Sequence, residues 1–463
     1  MERFNTNPTA KSDRIPRLVE NLYRKMPEIE ADRAVLLTES YQKTEGEPIV
    51  MRRAKAFAHI LANIPITIRE EELVVGSSTL APRGCQTFPE YSWEWLEAEF
   101  DTIEKRSADP FYISEETKER LRKVHTYWKG KTNSELALSY MAPETVKAME
   151  HNVFTPGNYF YNGVGHVTVH YDKVLEKGLS GIIREAAEEL SRCQVGDADY
   201  ATKHCFLEAV ILSCAAVIGY AERYAALAKQ EAEGCADPVR KQELLQIAEN
   251  CSRVPKEGAK SFWEACQSFW FIQQLLQMEG SGHSISPGRF DQYMYPYYKK
   301  DLDAGRITRD QAQELIDCIW VKLNDLNKAR DAASAEGFAG YSLFQNLIVG
   351  GQDENGLDVT NDLSFMCIWA SHHVFLPQPS LSIRVWNLTP HELMIEAAKL
   401  TRTGIGLPAY YNDEVIIPSL MNRGLTLEDA RTYNIIGCVE PQKAGKTDGW
   451  HDAAFFNMCR PLE

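Results

Sequence analysis

Strand-like segments occur late in this 463-residue chain, where they alternate with helical ones. Residues 347–351 and 381–386 are rich in Leu, Ile and Val and are predicted to be strands, and Pro377-Gln-Pro introduces the second. Apolar residues spaced three and four apart predict helices over 390–403 and 427–433. Because no linker, repeat or low-complexity run interrupts the chain, this order predicts one large α/β domain with a helical outer layer.

The first half of the chain is dominated by helical periodicity. Helices are predicted over residues 30–43 and 48–63, and a polar helical region covers 107–148. The segment 205–218 is almost entirely apolar, so we expect it to be buried on most of its faces. Residues 166–169 alternate after a loop rich in Gly, Asn and Tyr, which predicts a short strand or a buried extended segment.

Charge and composition exclude several classes of function. The chain has 50 Lys and Arg against 65 Asp and Glu, a net charge of −15, and its basic residues are not clustered. Binding to nucleic acid or to an anionic membrane surface is therefore not expected. No stretch of about 18 apolar residues was found, and the N-terminus lacks the apolar core of a signal peptide. These features predict a cytoplasmic protein that does not span a membrane.

The eleven cysteines are scattered singly and include no C-x-x-C pair, which is typical of reduced thiols in a cytosol. Most are expected to be small buried residues. Cys438 differs, because it follows Gly437 at the end of an apolar run and precedes Glu440 by two positions. Two residues apart in an extended segment, both side chains would lie on one side and face one cavity.

Other polar residues lie in glycine-rich loops, but familiar motifs are missing. The chain has no P-loop, complete dinucleotide fingerprint, nucleophile elbow or zinc-binding pattern. Taken singly, a buried His or Cys is more often structural than functional. A Cys and a Glu with a His elsewhere are also compatible with a cysteine hydrolase. The residues alone thus indicate a polar pocket with a thiol, whose candidate members are His166, His283, Ser284, Cys438, Glu440 and Asp452.

The segment Gly437-Cys-Val-Glu-Pro441 resembles the cysteine loop of glycyl radical enzymes, in the branch that eliminates a group next to a hydroxyl. The pyruvate formate-lyase branch has two adjacent cysteines at this point. The resemblance extends over essentially the whole chain, and its details are similar to the B12-independent glycerol and propane-1,2-diol dehydratases. Its further motifs include Tyr161-Asn-Gly-Val-Gly-His166, Gly282-His-Ser-Ile-Ser-Pro287, Arg83-Gly-Cys-Gln-Thr87 and Leu407-Pro-Ala-Tyr-Tyr-Asn-Asp413.

The resemblance implies a role for each catalytic candidate. Cys438 would become a thiyl radical that removes a hydrogen atom from the diol C1, and Glu440 would take the C1 hydroxyl proton. His166 would protonate the departing C2 hydroxyl, and Asp452 would touch the diol and orient this acid. The product would be an aldehyde and water, namely propanal from propane-1,2-diol or 3-hydroxypropanal from glycerol.

The resemblance also implies substrate contacts. His283 and Ser284 would bind the hydroxyls, and Tyr341 would line the same pocket. A choline trimethylamine-lyase is the alternative within the family, but a quaternary ammonium calls for aromatic faces and its leaving amine requires no acid. His166, His283 and Ser284 suit hydroxyls better, while the choice between propane-1,2-diol and glycerol stays open.

The fold implied is a ten-stranded α/β barrel of the pyruvate formate-lyase-like type, of which this chain would hold the N-terminal part. A helical layer is expected over about residues 1–150, and a half-barrel with the cysteine loop over about 151–463. In the family the radical glycine follows the cysteine loop by hundreds of residues. The glycine-radical domain is therefore expected to be absent and the chain to be inactive alone, the alternative being a non-catalytic half-barrel scaffold.

The resemblance has consequences for cofactors and partners as well. It implies no bound cofactor and no metal, since the glycyl radical is installed by a separate activase that uses S-adenosylmethionine and an iron–sulfur cluster. The expected partners are a small diol, this activase and a second copy of the chain in a homodimer. Encapsulation in a bacterial microcompartment is compatible with the sequence but is not decided by it.

Overall fold

The computed structural model describes residues 4–163, 165–447 and 454–463. Helices form most of the first 340 residues, and strands are concentrated after them, as the periodicity predicts. The helices are α1 Arg14–Tyr23, α2 Asp32–Lys43, α3 Ile49–Asn63, α4 Glu94–Glu99, α5 Glu115–Trp128, α6 Asn133–Tyr140, α7 Pro143–Glu150, α8 Asn158–Tyr161, α9 Tyr171–Arg192, α10 Tyr200–Gly234, α11 Pro238–Arg253, α12 Phe262–Glu279, α13 Phe290–Asp303, α14 Arg309–Asp325, α15 Ala332–Gly337, α16 Asp362–Val374, α17 His391–Thr401, α18 Asp413–Asn422 and α19 Leu427–Arg431.

The strands are short and belong to several small sheets. They are β1 Ile29–Glu30, β2 Cys85–Gln86, β3 Phe154–Pro156, β4 Asn346–Gly350, β5 Ser380–Val385, β6 Ala409–Asn412, β7 Asn434–Ile436, β8 Glu440–Gln442 and β9 Ala454–Phe456.

The central sheet is parallel, with strand order β4-β5-β6. Leu347 pairs with Leu381, and Ser382 pairs with Ala409. Helix α16 connects β4 to β5 and α17 connects β5 to β6, so the two connections are βαβ units. Strand β4 is buried throughout, which explains why it is recognisable in the sequence as a continuous apolar run.

Two isolated parallel bridges lengthen this sheet on the β4 side. Gly288 pairs with Leu347, and Val167 pairs with Ile285. The loop before α9 and the loop after α12 therefore lie side by side next to β4. Strands β7 and β8 form a separate antiparallel hairpin, in which Ile436 pairs with Glu440.

Packing of the outer helices follows from their sequence. Helix α14 begins at a capping box in which Thr308 and Gln311 exchange hydrogen bonds, and its apolar residues are buried against α12 and α16. Helices α2, α3, α10 and α11 contribute to a second apolar core around Tyr220 and Tyr224. The α/β class is confirmed, and the described strands form several small open sheets rather than a closed barrel.

Helix α10 contradicts one expectation. Its apolar segment 205–218 is mostly half-exposed, because the buried side chains of α10 are concentrated after Val217, where it packs against α3 and α11. By length and composition α10 could also cross a membrane, and 28% of its most apolar window is buried. One such helix is weak support for a membrane span, since helices of soluble proteins meet the same criterion.

Candidate active site

The loops that carry His166 and His283 are joined through their backbones. The His166 N–H donates to the His283 carbonyl at 3.0 Å, and the Ser286 N–H donates to the Val167 carbonyl at 2.9 Å. Gly165 permits this approach, because a Cβ there would lie 1.8 Å from the His283 carbonyl oxygen. The two loops thus present their side chains from adjacent positions.

Three of the candidate residues have left-handed backbone conformations. His166 has φ 52°, Ser284 has φ 65° and Tyr341 has φ 56°, a region that residues other than glycine rarely adopt. The Ser284 N–H donates to the Leu343 carbonyl at 2.8 Å, which helps to hold this conformation. Such strain occurs preferentially at functional sites, where the surrounding structure enforces it.

The cysteine loop is the turn of the β7–β8 hairpin. Residues 437–439 form a turn in which Gly437 has φ 61°, so the expected extended segment is not present. Consequently Cys438 is exposed at the tip, while the Glu440 carboxylate points back toward His166. The extended segment on which that prediction depended is thus replaced by a turn, and a cavity shared by Cys438 and Glu440 stays a prediction.

Three side chains surround one point above Gly437. A Cβ added to Gly437 would lie 2.9 Å from Glu440 Oε2, 2.9 Å from Ser284 Oγ and 3.1 Å from His166 Cδ2. Glu440 Oε1 also lies 3.5 Å from His166 Nε2. A carboxylate, a hydroxyl and an imidazole therefore converge where only a hydrogen atom occupies the backbone side.

The environment determines the charge of Glu440 and of His283. Burial alone would raise the pKa of Glu440, but hydrogen bonds from His166 and the Val439 N–H outweigh it and leave this pKa below its usual value. Burial, followed by electrostatic interactions with Arg330, His166 and Lys328, holds the pKa of His283 well below its usual value. Near neutral pH the site thus contains a carboxylate base and a neutral imidazole.

His283 and Ser284 are enclosed. The His283 ring lies 4.8 Å from the His166 ring, 6.1 Å from that of Phe338 and 5.9 Å from that of Phe344, measured between centroids. Ser284 is fully buried, and within the described part of the chain its Oγ has no hydrogen-bond partner. A buried hydroxyl of this kind is suited to a polar group of a ligand.

The structure brings together His166, His283, Ser284 and Glu440 out of the seven residues proposed from sequence. Cys438 adjoins them at the exposed hairpin tip. The side chain of Tyr341 is directed elsewhere, with its hydroxyl donating to the Pro110 carbonyl at 2.7 Å and its ring packed against Phe111. Asp452 lies outside the described residues.

Three residues that support the cysteine loop were not predicted. Ser286 Oγ accepts from the Gly437 N–H at 3.1 Å, Asn346 Nδ2 donates to the Gly437 carbonyl at 3.2 Å, and the Tyr411 hydroxyl donates to the Cys438 carbonyl at 2.6 Å. Ser286 and Tyr411 lie within motifs that were recognised, but nothing in their spacing connects them to residues 437–438. Among the described side chains, no group of three His, Cys, Asp or Glu is placed to hold a metal ion.

The chain belongs to the pyruvate formate lyase-like family, whose model matches residues 7–463. The resemblance to glycyl radical enzymes is thereby confirmed.

Several members of the family are similar to this chain in sequence or structure. A solved structure concerning 1,2-propanediol dehydration in Roseburia inulinivorans is 71% identical, with a TM-score of 0.98, over 99% of this chain and 55% of that one. The glycerol-bound B12-independent glycerol dehydratase from Clostridium butyricum is 57% identical, with a TM-score of 0.96, over 99% and 58%. The (2S)-3-sulfopropanediol dehydratase of Klebsiella oxytoca is 36% identical over 97% of this chain and 55% of that protein. The chain thus spans a little over half the length of these relatives.

Proposed function

We propose that this chain contributes the substrate pocket and the cysteine loop of a glycyl radical diol dehydratase, which converts a small vicinal diol into an aldehyde and water. The observation that carries the proposal is the convergence of Glu440, His166 and Ser284 above Gly437, the residue that precedes Cys438 in the chain. Identities of 71% and 57% to structures concerned with propanediol dehydration and glycerol dehydratase support the same class of substrate.

In the proposed reaction the S–H hydrogen atom of Cys438 would pass to a glycyl radical, which supplies the initiating one-electron chemistry, and the sulfur would be left as a thiyl radical. Cys438 then removes a hydrogen atom from the diol C1, forming an S–H bond and leaving a carbon radical. Glu440 accepts the proton of the C1 hydroxyl, a role that suits a carboxylate whose pKa is held below its usual value. The resulting ketyl radical anion expels the neighbouring hydroxyl more readily than a neutral radical does.

His166 donates a proton to the departing C2 hydroxyl, which leaves as water. The product radical recovers its hydrogen atom from Cys438, so the thiyl radical is restored and an aldehyde remains. At this stage Glu440 holds one proton too many and His166 one too few. Their 3.5 Å separation allows that proton to pass directly from the carboxyl to the imidazole, which resets both groups.

His283 and Ser284 bind the diol hydroxyls in this proposal. A neutral imidazole has one donor and one acceptor nitrogen, and the Ser284 hydroxyl can donate and accept. Tyr341 and Asp452 are retained as substrate ligands from the resemblance, Tyr341 after rotation away from the Pro110 carbonyl. The groups that would contact the diol in this proposal are hydrogen-bonding ones, which suit hydroxyls better than a quaternary ammonium group.

The remaining parts of the proposal concern assembly. We place the open parallel sheet within a ten-stranded barrel of the family, in a cytoplasmic homodimer that is activated by a radical-generating enzyme. The helical layer over residues 1–150 and the half-barrel over 151–463 would be parts of one domain. No described residue carries this assembly, so it depends on the family alone.

The test is an anaerobic assay of the protein that carries this chain, together with its activating enzyme. Propane-1,2-diol, glycerol and choline are compared as substrates, and the aldehyde or amine product is measured. Propane-1,2-diol or glycerol should be dehydrated, and Glu440→Gln should lower turnover by roughly 10²–10⁴-fold while keeping the fold. Wild-type turnover in E440Q would remove Glu440 as the base, and conversion of choline alone would overturn the diol assignment.

A further inference from the structure

Lys328 lies buried behind the loop that carries His283 and Ser284, in the segment between α14 and α15. Its Nζ donates to the Gly280 carbonyl at 3.0 Å and also to the Gly282 carbonyl. These two carbonyls belong to the residues just before His283. One ammonium group therefore bridges the carbonyls of Gly280 and Gly282.

The partners of Lys328 are unusual for a buried lysine. In the described part of the chain it makes no salt bridge, whereas Lys322, which is also buried, has its Nζ 2.6 Å from the Glu72 carboxylate. An ammonium group is costly to bury without an opposite charge. A lysine that is held by two loop carbonyls in place of a carboxylate is hard to explain by stability alone.

The surroundings of Lys328 are positively charged. Burial, followed by the charges of Arg330 and Arg33, lowers the pKa of Lys328 well below its usual value, and Glu279 opposes them. Glu279 is itself paired with Arg53, and Arg33 with Glu90. Both carboxylates thus have arginine partners of their own, and among the described residues none forms an ion pair with Lys328.

His283 lies within reach of the same charges. Arg330, His166 and Lys328 all disfavour its protonated form, in addition to burial. Arg330 also donates to the Ser342 carbonyl at 2.7 Å, next to Leu343, whose carbonyl accepts from the Ser284 N–H. The loop of His283 is thus held from one side by Lys328 and from the other by the segment that Arg330 anchors.

We propose that Lys328 is a positioning residue for substrate recognition: by bridging the carbonyls of Gly280 and Gly282, it orients His283 toward the diol hydroxyls. The inference rests on the proposed function, since it takes His283 as a ligand of the diol. Lys328 acts through the loop and not through contact with the substrate.

The first experiment measures His283 itself, in this chain and without turnover. The protein is labelled with ring-¹⁵N histidine, and the His283 signals are assigned from their loss in His283→Gln. In Lys328→Met the pKa of His283 should rise, because loss of a neighbouring positive charge favours the imidazolium form. Lys328→Arg retains the charge and should keep this pKa low.

Lys322→Met is the matched control. It removes a buried lysine from α14 and takes away the ion-pair partner of Glu72, so it destabilises the protein without touching residues 280–282. The pKa of His283 should not change in this variant. If Lys328→Met does not fold, Lys328→Gln provides the same test, because an amide can still donate to a carbonyl but carries no charge.

The second readout is the diol dependence of the activated protein that carries this chain. Lys328→Met should raise KM roughly tenfold, the equivalent of one well-directed hydrogen bond, with a smaller change in kcat. A folded Lys328→Met variant with an unchanged His283 pKa and an unchanged KM would overturn the inference. Should the wild-type protein be inactive on every diol while Lys328→Met still shifts His283, the proposed function alone would fail.

Discussion

The Glu440 carboxylate lies 3.5 Å from the His166 imidazole, although one belongs to the β7–β8 hairpin and the other to the loop before α9. In the proposed reaction one of these groups gains a proton in every turnover and the other loses one. A direct contact between them lets the site recover without exchanging protons with solvent. This matters because radicals require an enclosed site from which water and oxygen are excluded.

The same contact predicts a pH dependence of stability. The pKa of Glu440 is lowered in the folded protein, so its ionised form contributes stability that is present above its unfolded pKa of about 4.3 and is lost as pH falls through the folded value. The stability advantage of wild type over Glu440→Gln should therefore shrink between pH 5 and the acid limit. Urea unfolding of both proteins at several pH values measures it, and a pH-independent difference would contradict the prediction.

Gly437→Ala should damage both the fold and the site. Alanine is disfavoured at φ 61°, and its Cβ would lie about 3 Å from Glu440, Ser284 and His166. We expect loss of diol binding and a decrease in the free energy of unfolding that exceeds the roughly 1–2 kcal/mol of the backbone strain alone. Calorimetric titration with glycerol and chemical denaturation measure the two effects.

Gly305 offers a matched control for this substitution. Its φ is 65°, and nothing lies within 4 Å of the position that a Cβ would take. Gly305→Ala should therefore show the backbone strain without any effect on the diol. Equal losses of unfolding free energy in the two variants would contradict the prediction, because they would show that the close contacts of a Cβ at Gly437 add nothing to the backbone strain.

Tyr411→Phe should loosen the hairpin tip. Its hydroxyl donates to the Cys438 carbonyl at 2.6 Å, and one such hydrogen bond contributes about 0.5–1.5 kcal/mol. Turnover should fall roughly tenfold because the sulfur is held less well in position. Tyr410→Phe removes the neighbouring hydroxyl of β6, which contacts Thr401, and should leave turnover unchanged.

The support of the hairpin also depends on a buried ion pair. Arg384 on β5 makes two 2.8 Å hydrogen bonds to Asp413 at the start of α18, and both side chains are fully buried. The same arginine donates to the Tyr433 carbonyl at 3.3 Å, just before β7. Arg384→Met leaves the Asp413 charge without its partner, so unfolding free energy should fall by about 3–5 kcal/mol.

Thermal or urea unfolding checks this loss. The exposed pair Lys299 and Asp303 provides a comparison, since Lys299→Met should change stability little. A small effect of Arg384→Met would show that the surrounding carbonyls and Tyr433 compensate for the missing guanidinium.

Much of the fold could be predicted because buried helices and strands have characteristic patterns of apolar residues in the local sequence. Strand β4 is buried throughout and is therefore a nearly continuous apolar run, and α17 buries Leu393, Ala397 and Leu400 at helical spacing. The convergence of His166, Ser284 and Glu440 had a different origin. Loop residues far apart in the chain have no local signal for proximity, so their common pocket was predicted from the family resemblance.

Other features could not be predicted, for physical reasons. The turn at residues 437–439 depends on Gly437 adopting a left-handed conformation, which the spacing of Cys438 and Glu440 does not indicate. The half-exposed faces of α10 reflect which elements pack against it, and an apolar composition alone does not contain that information. Lys328 gave no motif at all, because its significance depends on the two carbonyls that fold onto it.

The hydrogen bond between Asn434 and Thr168 indicates at which stage of folding this site can form. Asn434 Nδ2 donates to Thr168 Oγ1 at 2.7 Å across 266 residues, next to the bridge that joins Val167 to Ile285. Closing so long a loop is entropically unfavourable until other contacts have formed. During synthesis the loop of His166 is made long before the cysteine hairpin and cannot contact it until the hairpin is complete. The pocket is therefore expected to be among the last regions to acquire protection from hydrogen exchange.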